Sequence, residues 1–315
     1  MASRLESYLS EARKTIEEGL RKLLGEMGNL ALHPQTSYAL TSGGKRLRPL
    51  LVLLSGEAVG GEREKLLPIA LAVELVHTAT LIHDDIIDGD FERRGKPSLY
   101  AKWKDKAILT GDLLFAKALN LVSDCGFEII KVLAEASLEL CDGEFLDITL
   151  GLDKSSEADL MVKVKRKSAS LFRASAHCGA LIGGGKPDEV KALKSFGENF
   201  GIAYQLADDL REIEEGDLKD LKAGRLTLPY LHLYRHGSPA LRRLLRESFG
   251  SGRLSEKEVE ILVKGLREYG SLEYCRRLVK DYLDRALESL QTLRNRPYRE
   301  LLRAFALRYA WMGEP

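Results

Sequence analysis

Two apolar helical runs that each end in a cluster of acids constrain this chain more than any other feature. The first, VELVHTATLIHD at Val73–Asp84, leads into DDIIDGDFERRGKPSLY. Apolar residues recur there at three- and four-residue steps with no Gly or Pro to interrupt them, which predicts helix. On a helix Asp84 and Asp88 lie one turn apart on one face. Like charges at that spacing repel unless a cation sits between them, and hard oxygen ligands suit Mg²⁺, which keeps several waters and is completed by substrate phosphates. The plainer alternative is a solvated acidic patch at a helix end. A second run weighs against it: Gly201–Glu212, GIAYQLADDLRE, ends in Asp208 and Asp209, with Glu212 one turn beyond Asp208. Acid-tipped helices facing one another can share metal ions inside a helical bundle.

The rest of the chain reads as helix too. The spacing predicts helices over roughly 3–28, 46–59, 63–88, 105–124, 126–150, 156–183, 187–213, 227–248, 255–268 and 270–310, the last broken near Pro297, with breaks at Gly/Pro clusters. No convincing alternating strand, repeat or low-complexity tract stands out. The expected fold is therefore all-α. No Pro/Ser/Gly-rich linker divides the 315 residues, so a single domain over 1–315, a bundle around a deep central cavity, is expected.

Composition excludes several classes. A net charge of +1 argues against a bulk field for nucleic acid or an acidic membrane. No uninterrupted apolar run approaches the roughly 20 residues of a membrane span. The N-terminal segment reads as an amphipathic helix, not a signal peptide. Cys125, Cys141, Cys178 and Cys275 are scattered, with no CxxC pair, and read as buried free thiols in a reducing cytoplasm.

Further basic groups complete the pattern. In Gly43-Gly44-Lys45-Arg46-Leu47-Arg48-Pro49 the glycines allow a bend and Pro49 suits a first helical turn, so Lys45, Arg48 and free backbone N–H groups could cradle a diphosphate. Arg93 and Arg94 can each grip phosphate oxygens bidentately, and because adjacent loop side chains diverge, each can serve a different substrate. Lys163, Lys165, Arg166 and Lys167 form a basic run, ordinarily a solvated face. Glu144 and Asp147, in CDGEFLD, are either supporting groups or surface carboxylates.

DDIID with its downstream RR, GGKRLRP, KSA at Lys167–Ala169, and YQLADD before a TLP segment together resemble the trans-isoprenyl diphosphate synthases, in that family's order and roughly its spacing. The resemblance implies an Mg²⁺-dependent prenyltransferase, with several ions per site, joining isopentenyl diphosphate to an allylic diphosphate in E geometry. It assigns Lys45, Arg48, His77 and Arg94 to isopentenyl diphosphate. Arg93, Lys167, Ser168, Gln205 and Arg225 go to the allylic diphosphate. Asp84, Asp85, Asp88, Asp208, Asp209 and Glu212 go to metal, with Asp84, Asp88, Lys167 and Asp208 as the catalytic core. Ala79 and Thr80, both small, would line the chain-length channel and imply a polyprenyl or geranylgeranyl product of twenty carbons or longer. The family also implies a homodimer. A non-catalytic partner subunit of a heteromeric synthase and an allylic diphosphate cyclase are the alternatives, and the complete GGKRLRP and RR weigh against both.

The sequence departs from the family after the second acidic motif. Glu212 stands where the last Asp of DDxxD is usual, and the following loop is shorter and lacks its first Gly-Lys. Arg225 stands where the second lysine would be. The expected consequence is an active enzyme that holds its allylic diphosphate weakly, with Lys219 or Lys222 as substitutes of unknown direction.

Overall fold

Helices make up nearly all the regular structure of this computed structural model, which describes residues 2–310. In chain order they are α1 (Ala2–Glu26), α2 (His33–Thr41), α3 (Leu47–Ala58), α4 (Arg63–Asp88), α5 (Leu99–Trp103), α6 (Ala107–Val122), α7 (Phe127–Thr149) and α8 (Glu157–Lys163). Then follow α9 (Ser170–Ile182), α10 (Pro187–Glu214), α11 (Lys219–Ala223), α12 (Leu228–His236), α13 (Pro239–Ser248), α14 (Glu256–Glu268), α15 (Ser271–Ser289) and α16 (Arg296–Ala310). A π-helical turn, Val164–Ala169, joins α8 to α9.

The long periodic helices fall where expected to within about two residues; the short elements do not. A single helix over 227–248 is corrected to α12 and α13, because Ser238 caps a new helix by accepting from Leu241 N–H and Pro239 occupies its first turn. The break expected near Pro297 falls over 290–295, and Pro297 sits in the first turn of α16, where its missing N–H costs nothing. The absence of strands is corrected by a minimal antiparallel hairpin, β1 (Glu92–Arg93) and β2 (Lys96–Pro97). Its turn residues Arg94 and Gly95 have φ of 56° and 72°, as a two-residue hairpin of the I′ kind requires.

The chain divides into two compact units. The first draws on Met1–Ser137, Leu171–Gly197 and Ser289–Phe305; the second on Leu138–Ser170, Glu198–Glu288 and Ala306–Pro315. In the first, Leu50–Leu54 of α3 and Ile69–Val76 of α4 are buried with Phe172, Phe196 and Phe305. In the second, Leu206 and Leu210 of α10 pack with Leu160, Leu221, Tyr230, Leu262 and Val279. Burial of this kind stabilises by about 25 cal/mol per Å² of apolar surface.

By length and mean hydropathy (1.6 over 18 residues) α4 would pass for a membrane span, which the short apolar runs had not suggested. Its sequence is apolar because 67% of that window is buried inside the protein, and Glu74 in its middle is held by an internal ion pair. The cysteines are also less uniform than expected: Cys178 and Cys275 are buried, Cys125 is half-buried and Cys141 is exposed.

Candidate active site

In the first unit, α4 stops immediately after its acids. Gly89 takes φ of 68° and donates its N–H back to Asp85 and Ile86 carbonyls, a left-handed cap. Asp84 and Asp88 therefore occupy the last turns, where the helix dipole is already negative, and a cation there relieves both repulsions. Asp85 does something different. It points inward, its side chain 3% exposed, and accepts from Arg93 Nε at 2.5 Å. Burial raises its carboxyl above the ordinary range and Arg93 partly offsets this. Asp90 N–H closes the loop onto the Asp85 carbonyl at 2.9 Å.

The GGKRLRP segment lies against the same helix. Arg48 Nη1 is 3.1 Å from His77 Nε2, and its guanidinium stacks 4.3 Å above the Phe172 ring. Burial, then Arg48 and Arg94, push the His77 imidazole well below its usual range. Arginine has no acceptor, so Nε2 must accept and His77 is neutral with its proton on Nδ1. Arg94 donates from Nη1 to the Gly43 carbonyl. A Cβ on Gly44, at φ of 140°, would lie 2.6 Å from Arg94 Nη1, so glycine is needed where the two segments meet. Lys45 is exposed beside them. An open pocket of about 460 Å³ is lined by Thr78, Ile82, Asp85, Arg93, Arg94 and Pro97 among others. Below it Ala79 is fully buried, and Thr80 donates its hydroxyl proton to the His77 carbonyl at 2.8 Å. His83, without an expected role, lies over Gly111 of α6, with Nε2 3.5 Å from Asp112.

The second unit gathers the remaining cations around one carboxylate. Asp147, 8% exposed at the side chain, holds Lys163 at 2.9 Å and Lys167 at 2.7 Å, with Arg225 Nε 3.7 Å away. Burial pushes the Asp147 carboxyl up, but Lys163 and Lys167 outweigh it and leave it below the usual range. Lys163 also donates to the Leu226 carbonyl at 2.8 Å, tying down the backbone that carries Arg225. One expectation is corrected here: Lys163 is not on a solvated face but buried. Asp147, for which a supporting role and a surface carboxylate were both open, is buried too. Lys167 also reaches Glu144 at 2.5 Å. That approach needs Gly143: a Cβ there would lie 2.3 Å from the Lys167 backbone nitrogen. The π-helical turn carries Lys167 and Ser168, and such turns recur at functional sites.

On α10, Ser168 donates to Gln205 Oε1 at 2.7 Å and Gln205 Nε2 donates to Asp209 at 2.8 Å. Asp208 is half-exposed and paired with Arg211 at 2.9 Å. Glu212 accepts the Asp220 N–H at 2.9 Å. Asp209, Glu212 and Asp220 are all raised above the carboxylate range, first by burial and, for Asp209 and Glu212, next by Asp220. Such a group of buried carboxylates would accept a cation readily. Asp220 was missed because it lies in a stretch of alternating charge, DLKDLK, whose inward side cannot be told from spacing. Lys219 and Lys222 both pair with Asp217, at 2.8 and 3.1 Å.

Among the described residues no three His, Cys, Asp or Glu side chains close into a metal cage. The donors nevertheless fit Mg²⁺, which needs only one or two carboxylates before water and phosphate complete its shell.

The comparisons with known proteins agree with this fold. The polyprenyl synthetase family profile matches residues 31–266. The chain is 37% identical over 286 residues to a geranylgeranyl diphosphate synthase of Methanosarcina mazei, covering 86% of each chain. It is 34% identical to the octaprenyl diphosphate synthase of Escherichia coli over 277 residues, 84% of this chain and 85% of that one. The crystal structure of a polyprenyl synthase from Caulobacter crescentus, complexed with calcium and isoprenyl diphosphate, superposes with a TM-score of 0.86 at 29% identity, covering 97% of this chain and 96% of that one. An all-helical isoprenyl diphosphate synthase fold is thus the class. The chain belongs to the polyprenyl synthetase family, the trans-isoprenyl diphosphate synthases.

Proposed function

We propose that this protein is a trans-prenyltransferase that condenses isopentenyl diphosphate with an allylic diphosphate to give a polyprenyl diphosphate of twenty carbons or longer. The observation that carries the reading is the paired set of cationic groups: Arg48 with His77 beside Arg94 and Gly43 in the first unit, and Lys167 with Arg225 around Asp147 in the second. Two sets of phosphate-binding cations fit a reaction with two diphosphate substrates.

Lys45, Arg48 and Arg94 bind isopentenyl diphosphate, and neutral His77 fixes the direction of Arg48. Lys167, Arg225, Ser168 and Gln205 bind the allylic diphosphate, and Arg93 is free to grip phosphate once it gives up Asp85. Asp84 and Asp88 on the first unit and Asp208 on the second would each hold magnesium, with Asp209 and Glu212 supporting Asp208 and Asp85 supporting the loop through Arg93. Bound there, Mg²⁺ supplies positive charge for the departing diphosphate. As the allylic C1–O bond ionises, Lys167 and Arg225 stabilise the charge that develops on the leaving oxygens. The isopentenyl double bond attacks the allylic cation, and the adduct loses a proton to the released diphosphate. Buried apolar side chains along α4 exclude the water that would trap the cation. Ala79 and Thr80 leave room for a long chain.

A cytoplasmic location fits the free thiols Cys125, Cys141, Cys178 and Cys275. Ile108, Leu109 and Leu119 are exposed on α6, apolar surface that the second copy of a homodimer would cover. Incubation with labelled isopentenyl diphosphate, Mg²⁺ and allylic primers of increasing length tests the reading. Extension supports it; ionisation of the primer without use of isopentenyl diphosphate indicates a cyclase; neither reaction indicates a partner subunit.

A further inference from the structure

Arg46 is the most deeply buried basic residue of GGKRLRP. It is 4% exposed and sits at φ of 54°, the N-cap of α3. A non-glycine residue is strained in that conformation. All three guanidinium nitrogens are engaged. Nη1 donates to Glu74 at 2.5 Å, Nη2 to the Leu40 carbonyl at 2.7 Å and Nε to Glu17 at 2.8 Å. These partners lie on α4, α2 and α1. Glu74 is itself 2% exposed. It is also one turn before His77 on α4, and His77 holds Arg48.

The loop is thus fixed to α4 at two successive turns, Arg46 on Glu74 and Arg48 on His77. With Arg46 drawn inward, its neighbour Lys45 is turned outward, and exposed. We infer that the Arg46–Glu74 pair is a positioning pair for the isopentenyl diphosphate site, setting the direction of Lys45 and Arg48 without touching the substrate. This deepens the proposed function and rests on its assignment of Lys45 and Arg48. The geometry is specific to arginine, because a lysine ammonium cannot reach three partners in one plane. Arg46, Glu74, Leu40 and Glu17 all belong to the first unit, as do Lys45 and Arg48, so the effect is expected on the isopentenyl diphosphate side.

The test is isopentenyl diphosphate binding by titration calorimetry, together with both Michaelis constants, for Arg46→Lys, Glu74→Gln and the milder Glu17→Gln. Arg46→Lys and Glu74→Gln are expected to weaken isopentenyl diphosphate by about tenfold or more, the worth of one charged hydrogen bond. The allylic Michaelis constant and kcat stay within about twofold. Glu17→Gln, which removes only the half-exposed arm and leaves the buried pair intact, gives a smaller change in the same direction. If a buried-pair variant does not fold, Glu17→Gln decides alone. Equal shifts in both Michaelis constants and kcat, or no shift in any variant that folds, overturn the inference. Wild-type protein that binds no isopentenyl diphosphate overturns the functional reading itself, which is a different result.

Discussion

Arg93 donates to Asp85 at 2.5 Å and draws the hairpin back onto the last turns of α4. The adjacent acids Asp84 and Asp85 thereby face different environments: Asp84 on the partly exposed side with Asp88, Asp85 against an internal cation. Different consequences follow for substitution at each.

Asp84→Ala or Asp88→Ala is expected to lower turnover by at least about 10³-fold, since several kcal/mol of charge stabilisation on the leaving group goes with the metal. The fold survives, and removing like charges from a helix C-terminus leaves the melting temperature unchanged or slightly higher. Steady-state rates in Mg²⁺ and a melting curve check both parts.

Asp85→Ala should behave differently. It removes the buried charged partner of Arg93, whose own side chain is half-buried, a loss of roughly 1–3 kcal/mol. The melting temperature falls, and magnesium affinity changes less than in Asp84→Ala. Equal melting temperatures for the two variants would remove the distinction.

Arg225→Ala is expected to raise the allylic Michaelis constant by about tenfold, the worth of one charge-assisted contact, without altering that for isopentenyl diphosphate. The sequence left open whether Arg225 is a surface residue; it is 9% exposed beside Asp147. Lys219 and Lys222 are bound to Asp217, so neither alanine variant should match Arg225→Ala.

His77 gives a pH dependence. Its folded-state pKa lies below the ordinary 6.5 because the buried ring is kept neutral. Below pH 6.5 the unfolded chain therefore takes up a proton that the folded protein refuses, and stability falls with falling pH by up to about 1.4 kcal/mol per unit. His77→Gln keeps an acceptor for Arg48 and removes this slope. Melting temperatures at pH 7.5 and 5.5 should differ less in the variant than in wild type. Part-buried His177 and His232 are lowered too, so some acid sensitivity remains.

Ala79→Phe is expected to shorten the product. Ala79 is 0% exposed, so the ring also overpacks its surroundings, at about 1–3 kcal/mol. Product chromatography reads the first effect and a melting curve the second. An unchanged length distribution would take Ala79 off the channel.

Much of this was legible because α4 and α10 are long, periodic and acid-tipped, so spacing alone put Asp84 with Asp88 and Asp208 with Glu212. What stayed hidden depends on contacts far apart in sequence or on backbone conformation. Lys163 belongs to a charge run, and nothing nearby shows that it meets the Leu226 carbonyl 63 residues on. Arg46 turns inward only because its backbone is left-handed. The Arg94–Gly95 hairpin lacks the Asn-Gly signature that marks such turns. One signal was present and unused: a glycine inside the helical stretch CDGEFLD, which marks where Lys167 approaches Gly143.

The central claim is most directly tested by the mass of the product formed by wild-type protein from a fifteen-carbon allylic diphosphate, isopentenyl diphosphate and Mg²⁺. The account predicts diphosphates of twenty carbons or longer, formed only while the metal is present. Unextended primer, with isopentenyl diphosphate untouched at every metal concentration, would contradict it.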